Sequence, residues 1–302
     1  MTVQLLSPDD GTLLREDAGS LIDAEGNRYP LVNGVLDLRP KNPISGILSY
    51  NLVDHRVFRS YEYQRSLSPI FSHKLSVYLE LKELNILPFI PPPHVGAVCL
   101  DHGCGAGSFR RLFESLGYAY VGVDNESGTT TEQGGGHGFQ GGATHLCDLH
   151  RLPFDRDTFQ FAVSYSVFEH LQNPFLAARE LYRVMEPGGI GFIAVAAAIP
   201  FHMDSFYHHT HYGVLSTFLG AGFTVRQIAG ANWNAYHAIS SMDGLPGPRF
   251  LRIGLSNLIY ASHRALWHVR ARVKKRDLHK EELRRHLMMS GIIKAIIEKP
   301  ST

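Results

Sequence analysis

The residues best placed to do chemistry are three glycines and two aspartates. Gly103, Gly105 and Gly107 are separated by single residues directly after an apolar run, Ala97–Asp101. Glycines in such a turn let backbone approach a ligand where a Cβ would clash. Asp124 closes the next apolar run, Tyr118–Val123, and Asp148 closes a third, Ala143–Cys147. A carboxylate at the tip of the second strand can accept both hydroxyls of a ribose, and one at the third can accept from an adenine amino group. Each aspartate alone reads equally well as a cap or turn residue. Together and in this order they describe a nucleoside pocket.

A second concentration of chemistry lies between Phe201 and Tyr212, where His202, His208, His209 and His211 accompany Asp204. Three readings stand: a general base, since imidazole titrates near neutrality; a divalent-ion site of imidazole and carboxylate; and a packed lid. The prediction is a site without metal, with His208, His209 and Asp204 as catalytic candidates. His170, after the fourth apolar run, is a further candidate base.

These residues need a scaffold. From Gly96 to Gly230 strand-like runs alternate with helix-like ones, the pattern of βαβ units around a parallel sheet. Strands are predicted at Phe159–Tyr165, Ile190–Ala196 and Phe223–Ile228, with helices over Ser108–Leu116, Pro174–Met185 and Gly213–Leu219. In a doubly wound sheet the ligand lies beyond the carboxyl ends of the strands, where Asp101, Asp124, Asp148 and Ser166–His170 all fall.

The segment from Gly96 to Ile228 resembles the class I S-adenosylmethionine-dependent methyltransferases, in particular the methyltransferase-11-like group. The resemblance rests on Asp101-His102-Gly103-Cys104-Gly105-Ala106-Gly107, Gly122-Val123-Asp124, Cys147–Phe154, Ser166–Leu171 and Leu181–Gly189. It implies an α/β fold with a doubly wound, Rossmann-like, seven-stranded sheet. It also implies S-adenosyl-L-methionine as cofactor and S-adenosyl-L-homocysteine as product. Asp101, Cys104 and Asn125 would join the glycines and Asp124 around the cofactor, with Leu149 beside the adenine and Ser166 near the methionyl end. One departure is the run Asn125–Gly142, seven of whose eighteen residues are Gly. A helix there is disfavoured, and a loop over the adenosine is predicted.

Residues 1–42 resemble, more loosely, the zinc-ribbon-like module related to Trm112 that precedes some methyltransferases. Leu5–Pro8 and Gly26–Val35 carry the match. The expected Cys pairs would sit near Ser7 and Asp10 and near Ile22 and Glu25, where no Cys occurs, so a β-module without zinc is predicted, serving docking or self-association. Residues 43–94 read as a helical lead-in or lid with Tyr50, Tyr61 and Tyr63, residues 95–248 as the cofactor-binding core and 249–302 as a basic helical tail. The formal charge of +1 hides an asymmetry. From Arg249 on there are 13 Lys and Arg against 4 Asp and Glu, leaving 16 against 24 in the remainder. The tail aligns Leu255, Leu258, Ile259, Ser262, Leu266, Val269 and Val273 on one helical face. That face reads as packed on the sheet, packed on a partner subunit, or laid on an anionic membrane.

Composition excludes several classes. With 44% hydrophobic residues the chain is not disordered, and three cysteines do not make a disulfide scaffold. No stretch reads as a signal peptide and the longest apolar run, Ile190–Phe201, is too short to span a bilayer, so a cytoplasmic protein is expected. The sequence Ser164-Tyr165-Ser166-Val167 stands where nucleic-acid amino-methyltransferases carry an Asn/Asp-Pro-Pro-aromatic motif, which disfavours a base target. A small-molecule acceptor with an O, N or C nucleophile is expected. A non-methylating enzyme using the same pocket, and a non-catalytic partner-binding subunit, are the alternatives.

Overall fold

A computed structural model describes residues 3–41, 57, 86–125, 142–197, 205–230 and 246–301. Tyr50, Tyr61 and Tyr63, most of the predicted lead-in, the glycine-rich loop up to residue 141, His202 and Asp204 lie outside the described residues.

Seven strands form the centre: β6 (Val98–His102), β7 (Ala119–Asp124), β8 (His145–Leu146), β9 (Phe159–Tyr165), β10 (Met185–Ala196), β11 (Thr224–Gly230) and β12 (Ile292–Glu298). Residue types explain why they lie inside. Along β9 and β10, Phe161, Val163, Phe192 and Ala194 point to one core, while Ala162, Ile193 and Val195 point to the other. A strand apolar on both faces must be covered on both. Helix α1 (Arg110–Ser115) contributes Phe113 to one core. Helices α2 (Pro174–Val184) and α3 (His211–Ala221) contribute Leu181, Val184, Leu215 and Phe218 to the other. Asn173 caps α2, its side chain accepting from the Leu176 N–H at 3.1 Å, and Thr210 caps α3 through Gly213 at 3.0 Å.

The sheet runs β11-β12-β10-β9-β6-β7-β8 and continues through β5 (Val35–Asp37) and β4 (Leu31–Val32). Strand order reverses on either side of β6 and β9, and their shared carboxyl end is the switch point where such sheets bind ligands. Strands β6 to β10 pair in parallel, whereas β12 runs antiparallel between β10 and β11.

Two features depart from expectation. The tail is not helical throughout: after α4 (Arg249–Val273) and α5 (Leu278–Met289) it ends in β12. The run Ile292-Ile293-Lys294-Ala295-Ile296-Ile297 is rich in β-branched residues, and the gap between β10 and β11 gives both its backbone edges partners. The sheet also exceeds seven strands. The N-terminal module holds a small sheet of β1 (Arg15–Asp17), β2 (Ser20–Ile22) and β3 (Arg28–Tyr29), but β4 (Leu31–Val32) and β5 (Val35–Asp37) extend the main sheet. Their hairpin turns on Asn33-Gly34, both at positive φ, as a two-residue turn demands. Strand β5 then pairs in parallel with β8, Leu36 beside His145 and Asp37 beside Leu146.

Candidate active site

The glycine turn leaves β6 with Gly103, Gly105 and Gly107 at φ of 75°, 49° and 69°. Gly103 and Cys104 both donate to the Val123 carbonyl at 2.9 Å, tying the turn to β7. A Cβ on Gly103 would lie 2.4 Å from the Val167 side chain, and one on Gly107 2.8 Å from Gly142 Cα. At Gly105 a Cβ would meet nothing within 4 Å, so the turn is closed by protein at its two ends and open in the middle. Gly142 itself is held so tightly that a Cβ there would fall 2.0 Å from the Gly105 carbonyl oxygen.

The Asp124 carboxylate stands at the tip of β7. Its Oδ2 accepts from the Gly105 N–H and its Oδ1 from the Asn125 N–H, both at 2.8 Å. Asn125 is further fixed from the N-terminal module: Arg39, clamped by Asp37, donates to the Asn125 carbonyl at 3.2 Å. Arg39 was not among the residues picked out by motif, and no local signal in a hairpin tail marks it.

Asp148 follows β8. His150 donates to its Oδ1 from both backbone (2.8 Å) and ring Nδ1 (2.6 Å), while His150 Nε2 accepts from the Asn173 N–H at 3.1 Å. A backbone N–H can only donate, so the ring proton sits on Nδ1. Burial works to raise the Asp148 pKa, and the His150 bonds outweigh it and hold the group below its ordinary value. Among the described residues Asp148 takes its hydrogen bonds on Oδ1, leaving Oδ2 for a ligand. Leu149, next to it, is buried in the core.

Two motif residues serve the scaffold. Asp101 is buried and accepts from the Tyr120 hydroxyl at 2.8 Å. Cys104 is buried beside Asp101 and Asp124, and desolvation, then those charges, push its thiol far up, so it stays protonated. Ser166 sits at φ 58°, a conformation costing a non-glycine residue on the order of 1 kcal/mol, of the kind that collects at functional sites. Its N–H donates to Ala194 at 2.8 Å, which aims Val167 onto the glycine turn.

The histidine-rich segment is strapped to this motif. Phe206 and Tyr207 donate to the Glu169 carbonyl at 2.7 and 3.1 Å, and His209 to the Ala196 carbonyl at 3.0 Å. His208 is exposed and His209 buried. Burial holds the His209 pKa below its ordinary value, so the ring is neutral. His170 is half-buried at the end of a 3-10 turn, Phe168–His170. Glu169, between them, is fully buried; its Oε1 accepts from Ala196 N–H at 3.1 Å, and burial raises its pKa to about 7. It lay in plain sight in the Ser166–Leu171 motif, but nothing in its residue type announced burial. Among the described residues no group of three or more His, Cys, Asp or Glu could hold a metal ion.

The residues at these strand ends fit S-adenosylmethionine. Neighbouring strands lie about 4.8 Å apart, so the tips of β6, β7 and β8 span roughly 10 Å. That row offers in sequence an open glycine, a carboxylate fixed by backbone and a carboxylate bonded on one oxygen among the described residues.

Residues 100–193 match the family described as methyltransferase domain. Over 98 residues the chain is 33% identical to an uncharacterized methyltransferase of Mycobacterium leprae, covering 32% of this chain and 36% of that protein. A relative in Mycobacterium tuberculosis H37Rv is 32% identical over 98 residues, covering 32% and 39%. The match thus spans little more than a third of these relatives. Among solved structures, a SAM-dependent methyltransferase from Archaeoglobus fulgidus is 16% identical with a TM-score of 0.47, covering 73% of this chain and 94% of that one. The Haemonchus contortus phosphoethanolamine N-methyltransferase 2 in complex with S-adenosyl-L-methionine is 18% identical with a TM-score of 0.44, covering 73% and 53%. The likeness to methyltransferases thus rests on residues 100–193, about a third of the chain.

Proposed function

We propose that the protein transfers a methyl group from S-adenosylmethionine to an O, N or C nucleophile of a small molecule, such as a natural-product, sugar or lipid-linked intermediate. The observation that carries this reading is the row formed by Gly105, Asp124 and Asp148 at three adjacent strand tips. S-adenosylmethionine supplies an electrophilic methyl on sulfonium sulfur, and the chain's part is to hold the two reactants in line and accept a proton where the nucleophile carries one.

In this reading Gly103, Gly105 and Gly107 line the methionyl side, Asp124 holds the ribose and Asp148 Oδ2 accepts from the adenine amino group. Asp101, Cys104, Asn125, Leu149 and Ser166 hold that frame. His208, His209 and His170 are the candidate proton acceptors on the acceptor side, with Asp204 in the same segment. The strapping of His209 and Glu169 to Ala196 supports it, because it brings the histidine segment to the carboxyl end of β10, beside β9.

The test is calorimetric titration with S-adenosylhomocysteine. Micromolar binding is expected, and Asp124→Ala should weaken it at least about tenfold, or 1.4 kcal/mol. Unchanged affinity in the variant would overturn the pocket. Alanine at His208 or His209 should lower turnover, followed by product mass, with cofactor affinity kept; full activity in both would remove the histidines from the chemistry.

A further inference from the structure

Helix α4 is apolar on two opposite sides. One side packs on the body: Ile253, Trp267 and Ala271 are buried, the Arg285 guanidinium of α5 lies 3.6 Å from the Trp267 ring centroid, and Arg264 pairs with Glu282. The other side carries Leu251, Leu255, Leu258, Leu266, Val269 and Val273, each between 58% and 78% exposed. Steps of three, four and, across Ser262, eight residues keep them in one line along the helix. At 1.5 Å per residue the line is about 33 Å long. An apolar strip of that extent on a protein surface marks an interaction site.

Charge decides what covers it. Between Arg249 and Arg276 the chain has eight Lys and Arg and no Asp or Glu. Residues of α5 answer two of them, Glu282 for Arg264 and Glu281 for Arg276. Arg270 and Arg272 are exposed, and at the 100° step of a helix they fall one on each side of the strip. A second α4 pairing along the strip would bring arginines against arginines at its flanks, with no acidic residue in the helix to relieve them. Nucleic acid would reward the cations but not a row of Leu and Val. A bilayer bearing anionic headgroups rewards both, taking apolar side chains at the acyl boundary while long Arg stems reach back to phosphate.

We propose that α4 docks the protein peripherally on anionic lipid, lying in the interface with Leu258 and Leu266 inward and Arg270 and Arg272 at headgroup level. Among the described residues no helix is long and apolar enough to cross a membrane, so α4 lies on the bilayer rather than through it.

The experiment is co-sedimentation of the full chain with vesicles of phosphatidylcholine alone or mixed with phosphatidylserine. Binding should be at least about tenfold stronger to the mixed vesicles and should weaken with salt. The double variant Leu258→Glu/Leu266→Glu should lose it, and Arg270→Glu/Arg272→Glu should reduce it, each with an unchanged Tm because these side chains face solvent. Failure to pellet with either vesicle, equal binding to both, or binding that survives Leu258→Glu/Leu266→Glu would overturn the proposal. So would a dimer in sedimentation velocity that this double variant dissolves, which would assign the strip to a second copy. Retention on a mixed-sequence oligonucleotide in place of vesicles would assign the cations to nucleic acid.

Discussion

Two polar clusters in this chain use similar residues and reach opposite ends. In the N-terminal module, Ser7 Oγ accepts from the Asp9 and Asp10 N–H groups, each at 3.3 Å, and lies 3.0 Å from the Tyr29 hydroxyl. Tyr29 donates to Asp23 at 3.0 Å, and Asp23 also accepts from Asn27 and Glu25. Ser7, Asp10 and Glu25 lie where the zinc-ribbon resemblance puts cysteines, and here Ser7 and Asp23 gather the hydrogen bonds of that region. Burial works to raise the Asp23 pKa, and the Asn27 and Tyr29 bonds prevail and lower it. At the strand tips, by contrast, Asp124 takes backbone N–H groups on both oxygens, while among the described residues Asp148 takes its hydrogen bonds on Oδ1 alone. A cluster that satisfies itself stabilises a fold. One satisfied on a single side is ready for a ligand.

That contrast can be broken in graded steps. The largest effect should come from Gly103→Ala, which combines a positive φ with a Cβ 2.4 Å from the stiff, buried Val167 side chain. A loss of roughly 2–4 kcal/mol is expected in denaturant unfolding, and a cost below about 0.5 kcal/mol would show that the turn is not packed as described.

Next comes Glu169. Its pKa is raised by burial from 4.5 to about 7 in the folded chain, so between those values the folded state binds more protons than the unfolded one. The stability this gives is full below about pH 4.5 and lost as pH rises through about 7, on the order of 3 kcal/mol in all. Glu169→Gln removes the titration. The Tm of the variant relative to the parent should therefore climb between pH 4.5 and 7 and level off above. A difference that stays flat with pH would show that Glu169 titrates normally.

The smallest step sharpens the contrast from the other side. Tyr29→Phe removes the hydroxyl shared by Ser7 and Asp23 and should cost about 1 kcal/mol, leaving S-adenosylhomocysteine affinity unchanged. A fall in affinity would mean that the module's cluster reaches the ligand, through the Arg39–Asn125 bond or otherwise.

Much of this was legible because the strands are short, apolar and punctuated. Phe159–Tyr165 matches its predicted bounds, and Asp101, Asp124 and Asp148 stand at strand ends as their positions after apolar runs indicated. Strand β12 was hidden because its partners are distant: an isoleucine run after two helices reads as more tail until β10 and β11 are seen to flank it. Its density of β-branched residues was the available signal. Strands β4 and β5, of two and three residues, are below the length at which alternation can be read. The periodicity of α4 was readable, but not which side faces the body. Ile253, Trp267 and Ala271 form a second stripe that packing selects over the more obvious one.

The position of β12 bears on how the chain folds. Strand β11 shares no hydrogen-bonded border with β10; it is held to the sheet through a strand that follows it in sequence by two whole helices. During synthesis the facing edges of β10 and β11 must wait, unpaired, for Ile292–Glu298 to emerge, a closure of high contact order and therefore slow. In that interval the two bare edges are open to pairing with other nascent chains. The sheet's last piece thus sets the moment at which it becomes safe from aggregation.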